Sequence, residues 1–146
     1  MGADVANREQ LDILARGVDA WNAWREAHPD VRPDLRNADL RGVILWGVNF
    51  RDALLCGADL RGAELDLANL AHADLHAANL RGAVLLGAAL NGSNFRHADL
   101  RDTDLRGQGF RGSVMDGANL RGADLRWSVL YAVVDAGCDL TGARYE

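Results

Sequence analysis

This chain has no lysine, only two cysteines and two prolines, and an aromatic content of just 6%. All 16 basic residues are therefore arginine, and they stand against 21 acidic ones for a net charge of −5, too mild to define a class of partner. Cys56 and Cys138 lie too far apart to read as a secreted disulfide framework. No apolar run approaches the length of a membrane-spanning helix, and the N-terminus does not read as a signal peptide, so the cytoplasm is the expected compartment. There is no glycine-rich phosphate loop before a helix, no HExxH and no nucleophile elbow. Each absence argues against an enzyme.

What the chain does have is a period of five. From residue 33 to 142 every fifth position is large and apolar, from Leu35, Leu40, Leu45, Phe50 and Leu55 onward to Leu130, with Asp135 the exception near the end. The residue two before each is commonly alanine, as at Ala38, Ala58, Ala63, Ala68, Ala73, Ala78 and Ala83. Five is neither a strand period nor a helix period. In Ala38-Asp39-Leu40-Arg41-Gly42 an extended backbone turns Ala38 and Leu40 to one side and Asp39 and Arg41 to the other. Gly42 then supplies the dihedrals of a corner. Repeated sides and corners close a coil, with leucine in its middle and alanine where two sides converge.

The most regular pentads recur every twenty residues, beginning at Ala38, Ala58, Ala78, Ala98, Ala118 and Cys138. That recurrence predicts four pentads per turn and a square cross-section. Stacked at the strand spacing, the repeats make a rod of roughly 26 Å. Each coil touches only its neighbours, so stability comes from the stack.

The A(D/N)LxG units resemble the pentapeptide-repeat family over about three-quarters of the chain. The resemblance implies an all-β solenoid, a right-handed quadrilateral β-helix, with an N-terminal capping α-helix. The expected organisation is a capping segment over 1–32 and a β-helix of about five and a half coils over 33–146. Asn7 reads as a helix N-cap with Gln10 at the capping-box position. Leu11, Leu14, Val18 and Trp21 form one apolar stripe, predicting a helix over about 8–27 that Pro29 and Pro33 stop. This helix is expected to lie on Leu35 and Leu40 and close the open top of the first coil. Gln108 stands where a buried alanine is expected, with Gly109 beside it, which predicts a local backbone deviation.

At the other end Val129, Leu130, Tyr131, Val133 and Val134 precede Asp135, and no second helix follows. The exposed floor predicts a homodimer through the C-terminal coils, with Val129, Tyr131, Val133 and Val134 as the candidate interface. The alternative is a monomer whose last residues fold under the floor.

The outward positions define four faces. The second carries Arg41, Arg61, Arg81, Arg101 and Arg121 beside Asp39, Asp59, Asn79, Asp99, Asn119 and Asp139. It reads as a self-neutralising ladder, or as a polar surface that recognises a partner's carboxylates or phosphates. Direct nucleic-acid binding would want surplus positive charge. The third face carries Ile44 and Trp46, then Glu64 and Asp66, then Val84 and Leu86, with Leu67 and Trp127 at its corners. The N-terminal helix or its linker is expected to cover Ile44 and Trp46. The alternative, favoured by Leu86 lying beyond that reach, is a partner-binding patch of Trp46, Leu67, Val84, Leu86 and Trp127. Cys56, His76 and Asp74 share the first face, but a flat wall without a pocket makes a poor zinc site. No cofactor or metal is expected.

These features point to a non-catalytic protein-interaction module that presents ladders of side chains to an unidentified protein. Through the family resemblance the alternative is a DNA mimic that binds DNA gyrase and protects it from topoisomerase poisons. Those mimics are acidic along their faces, whereas residues 33–146 carry 15 acidic residues against 12 arginines.

Overall fold

The chain forms a β-helix solenoid partly closed at its N-terminal end by two short helices. The structure, a computed structural model, describes residues 5–129 and 137–146. Leu130, Tyr131, Val133, Val134 and Asp135 lie outside the described residues.

Each pentad contributes one extended residue pair and one turn. The amide three residues after a central leucine donates to that leucine's carbonyl, as from Ala58 to Leu55 at 3.0 Å and from Ala83 to Leu80 at 2.9 Å. The residue two after the centre takes a left-handed φ, +69° at Gly82, which is the signature of a type II turn. Coils then join through parallel rungs between residues twenty apart. Asp39, Asp59, Asn79, Asp99, Asn119 and Asp139 make one such column, and three further columns follow the other sides. Within a column Asp59 N donates to Ala38 O at 2.9 Å and Leu60 N donates to Asn79 O at 2.7 Å.

The alternation of the pentad decides what is inside. Every central residue from Leu35 to Leu125 is buried. Each large side chain so enclosed contributes about 1.5–3 kcal/mol. The small residues two positions earlier are buried with them, apart from Val43, which is 38% exposed, and the half-buried Ser113. Where that position is polar, its side chain finds a carbonyl. Ser93 Oγ donates to Leu70 O at 2.7 Å and Gln108 Nε2 to Leu85 O at 2.6 Å. Gln108 is satisfied in this way while nearly fully buried. Beside it the rung between Ala89 and Gly109 is the one missing from the columns of the described residues, so the backbone departs from the repeat where Gln108 replaces alanine.

The cap differs from the single helix the apolar stripe predicts. Helix α1 spans Arg8–Leu14 and α2 spans Val18–Ala27, separated by Gly17 with φ +111°. The stripe continues across the break, so its spacing gives no sign of it. Asn7 Oδ1 accepts from Gln10 N at 3.1 Å, as an N-cap should. Gln10 does not return the bond to complete a capping box. Its Oε1 accepts from Asp34 N at 2.7 Å, while Asn7 N donates to Asp34 O at 2.8 Å. Trp21 is fully buried, lies edge-on to Phe50 at 5.6 Å, and donates Nε1–H to Asn49 O at 2.8 Å. Asn22 Oδ1 accepts from Asn49 N at 2.8 Å. Arg25 is almost fully buried and donates to Val31 O at 2.6 Å and Arg51 O at 3.0 Å. Burial lowers its pKa, and Asp52 opposes that shift.

These side chains stand in for a missing coil. They fill the backbone groups of Asp34, Asn49 and Arg51 that the repeat leaves open on two of its four sides. We expect Trp21→Ala to cost about 3–5 kcal/mol, the usual loss for a fully enclosed tryptophan. Chemical denaturation followed by circular dichroism measures it, and a loss below about 1 kcal/mol would mean the cap does not hold the first coil.

Candidate interaction face

The third face is built from the residues on either side of the central positions 45, 65, 85, 105 and 125. Their backbone columns run Ile44, Glu64, Val84, Asp104, Asp124 and Arg144. The expected cover over its top is absent: Ile44 is 61% exposed and Trp46 58%. Helix α2 reaches only the next corner, where Asn22 Nδ2 donates to Gly47 O at 3.0 Å. Val84 and Leu86 are half-buried in the third coil.

Leu67 and Trp127 are the most exposed large apolar residues of the repeat, at 72% and 73%. Both occupy corners with left-handed φ, +57° and +61°. A non-glycine residue there costs about 1–2 kcal/mol. Leu67 leans toward the next coil, so that a Cβ on Gly87 would lie 2.8 Å from its Cδ2. Its amide bonds Leu86 O at 2.8 Å, which sets Leu67 beside Leu86.

The five patch residues are thus not one continuous surface. Trp46 sits with Ile44 at the top. The row of Glu64 and Asp66 intervenes, then Leu67, Val84 and Leu86 form a middle cluster. Two rows of ion pairs, Asp104–Arg106 and Asp124–Arg126, lie below. Trp127 stands at the bottom corner with Arg126 over its ring at 5.4 Å. Ile44 and Val129 escaped the candidate patch, although Val129, 53% exposed, lies just past the Trp127 corner.

On the second face the arginine ladder pairs within its own pentads. Arg41 Nε and Nη2 donate to Asp39 at 2.8 and 2.7 Å, and Arg61 grips Asp59 in the same fork at 2.8 and 2.6 Å. Arg101 repeats it on Asp99. Where asparagine takes the acidic place, the arginine must look elsewhere. Arg81 reaches Asp102 at 3.1 Å, and Arg121 comes no nearer than 3.9 Å to Asp139. These two border a shallow groove with Arg101, Asn119 and Thr141. The fork holds the Asp39 and Asp124 carboxyls down at about 2 through hydrogen bonds from Arg41 and Arg126.

On the first face Cys56 is half-buried, and burial together with Asp74 pushes its thiol up to about 11. His76 meets His97 edge-on at 5.7 Å. Among the described residues no group of three His, Cys, Asp or Glu could hold a metal ion.

The Asp–Arg forks carry a pH dependence. A carboxylate whose native pKa is depressed adds stability above its unfolded value, near 4, and loses it as pH falls through the native value. For Asp39 and Asp124 the native value is about 2. The melting temperature is therefore expected to hold down to about pH 4 and to fall between there and pH 2. A level profile across that window would show that the forks add nothing to folding.

The comparisons with known proteins come to one family. The model for pentapeptide repeats matches in eight copies, over residues 34–70, 68–107 and 110–130. The chain is similar to HetL, a pentapeptide-repeat protein involved in heterocyst differentiation regulation in Nostoc sp. strain PCC 7120, at 29% identity over 75% of this chain and 69% of HetL, with a TM-score of 0.33. It is also similar to a pentapeptide-repeat protein of the Arabidopsis thaliana thylakoid lumen, at 26% identity over 72% of this chain and 56% of that one, TM-score 0.29. A form of QnrB1, a plasmid-mediated fluoroquinolone resistance protein, matches at 26% identity over 77% of this chain and 56% of its own length, TM-score 0.29. No curated protein matches. With the repeat model covering well over half of its residues, this chain belongs to the pentapeptide-repeat family.

Proposed function

We propose that this protein is a non-catalytic protein-interaction module, a right-handed four-sided rod whose third face receives another protein. One observation carries the reading. Of the nine exposed large apolar residues among those described, six (Val43, Ile44, Trp46, Leu67, Trp127 and Val129) lie on that face or just past its corner. A solvated wall has no use for such side chains, and apolar clusters of this kind mark contacts. Leu67 and Trp127 add to the argument, since the fold would be better served by glycine at both corners.

The arginine ladder of Arg41, Arg61, Arg81, Arg101 and Arg121 is a secondary recognition surface. Three of its five members are spent on their own carboxylates and Arg81 on Asp102, so its free capacity is concentrated at Arg121. That near-neutral ladder also counts against the runner-up, a DNA mimic acting on gyrase. The cytoplasm is the compartment we favour; no helix among the described residues is long and apolar enough to cross a membrane.

Leu86→Arg is expected to leave the circular dichroism spectrum and melting temperature unchanged and to abolish partner capture in an affinity pulldown. Partners retained by the variant would remove the third face from consideration. A gyrase supercoiling assay with and without a quinolone separates the alternative: protection at micromolar protein would favour it, and no effect removes it.

The C-terminal coils are proposed to pair two copies through Val129, Tyr131, Val133 and Val134. Val129 is open to solvent, so Val129→Asp is expected to leave the fold intact and convert dimer to monomer in sedimentation velocity. An unaltered sedimentation profile would count against this interface.

A further inference from the structure

The first coil has an upper edge, and the cap closes only part of it. Within the stack the groups that point toward the preceding coil are the amide and carbonyl of the residue before each centre and the carbonyl of the residue after it. On the third face of the second coil these groups belong to Glu64 and Asp66, and all are engaged. Glu64 N donates to Val43 O at 3.0 Å, Glu64 O accepts from Leu45 N at 2.8 Å, and Asp66 O accepts from Gly47 N at 2.8 Å. In the first coil the equivalents are Ile44 N, Ile44 O and Trp46 O, and none has a hydrogen bond among the described residues. On the first and fourth faces Asp34 N and O, Asn49 N and O, and Arg51 O are filled by Gln10, Asn7, Asn22, Trp21 and Arg25.

The side chains mark the same spot. Val43 holds an inward position, yet it is 38% exposed, while Ala63 and Ala83 beneath it are sealed at 0%. The top of this one inner column lacks a lid. Ile44 and Trp46 flank it on the outside, both more than half exposed. The second face offers a weaker edge: Asp39 has no rung above it either, but the inward Ala38 is buried and Asp39 is locked to Arg41.

We propose that the edge from Val43 to Trp46 receives an extended peptide segment of a partner protein, added as one more strand on the third face. The hydrogen-bonding pattern requires extended backbone, because it presents one donor and two acceptors at strand spacing. A second copy of the rod cannot seat there coil on coil, since α1 and α2 already occupy the same edge on the first and fourth faces. One straight segment fits where a closed square does not, and it ends where Asn22 takes Gly47 O. The segment carries an apolar side chain over Val43, a small one over Leu45, which is already buried, and apolar ones beside Ile44 and Trp46. This deepens the reading of the third face as an interaction surface and can fail independently of it.

The test selects peptides from a displayed random library on the full chain and then measures amide hydrogen exchange of the complex. The selected sequences are expected to carry one small residue set among apolar ones in the stated order, and exchange at the Ile44 amide is expected to slow on binding while Glu64 stays as protected as before. Ile44→Pro removes an N–H that bonds nothing among the described residues, and is expected to weaken the selected peptide about tenfold or more. Leu86→Arg is expected to bind it as the unaltered chain does, which separates the edge from the lateral face. No selected peptide, unchanged exchange at Ile44, or full affinity in Ile44→Pro would overturn the proposal. So would self-association that Ile44→Pro abolishes, which would make a second copy the occupant. Should Ile44→Pro fail to fold, the exchange measurement on the unaltered chain decides alone.

Discussion

The parallel rung between residues twenty apart is the constraint on which the rest of this molecule depends. It demands that each pentad return the backbone to the same height and heading, so a corner must follow every extended pair. The corner in turn demands a left-handed residue at a fixed place, which glycine supplies most cheaply. Once those two conditions hold, the alternation of an extended backbone assigns inside and outside without further choice. Leucine fills the tube, alanine fills the narrow place beside it, and a serine or Gln108 is admitted only because a carbonyl one coil earlier accepts its hydrogen.

The same rung explains why the ends matter more than the middle. A coil within the stack has its polar backbone satisfied on both sides, whereas the first coil has a full row of open groups on its upper edge. Trp21, Asn22, Gln10, Asn7 and Arg25 answer that row with individually placed donors and acceptors. They imitate a coil on two sides, and on the other two no described residue takes the place of a coil. The edge beside Ile44 is therefore a consequence of how short the cap is, not a defect of the repeat.

The repeat was legible in the sequence because its period is its geometry. The central positions, the alanines and the forked Asp–Arg ladder all follow from alternation and from the recurrence of twenty. The disturbance at Gln108 and Gly109 was legible too, since a buried amide must find a partner. The cap was only half legible. The stripe from Leu11 to Trp21 keeps helical spacing straight through Gly17, so periodicity could not reveal the break between α1 and α2. Gln10 has a good local partner in Asn7, but Asp34 N offers it a better use, and only the folded chain brings Asp34 near. For the same reason spacing alone could not decide whether Ile44 and Trp46 are covered or exposed. Spacing says that a helix covers the first coil, not which sides of the square it stops short of.

The outer walls separate what folding requires from what it does not. The Asp–Arg forks at Asp39, Asp59 and Asp99 neutralise like charges stacked about 5 Å apart, so folding alone accounts for those three rows of the second face. It does not account for Leu67 and Trp127. Each sits where glycine would relieve the backbone, and each sends a large apolar side chain into water. Two unfavourable terms at one residue, repeated at the same corner three coils apart, oppose stability both times. A surface that meets another protein is the physical setting in which exposed apolar area becomes favourable, which is the role proposed for this face. The open edge at Ile44 heads the same wall, so backbone and side-chain features that folding leaves unused converge on one side of the rod.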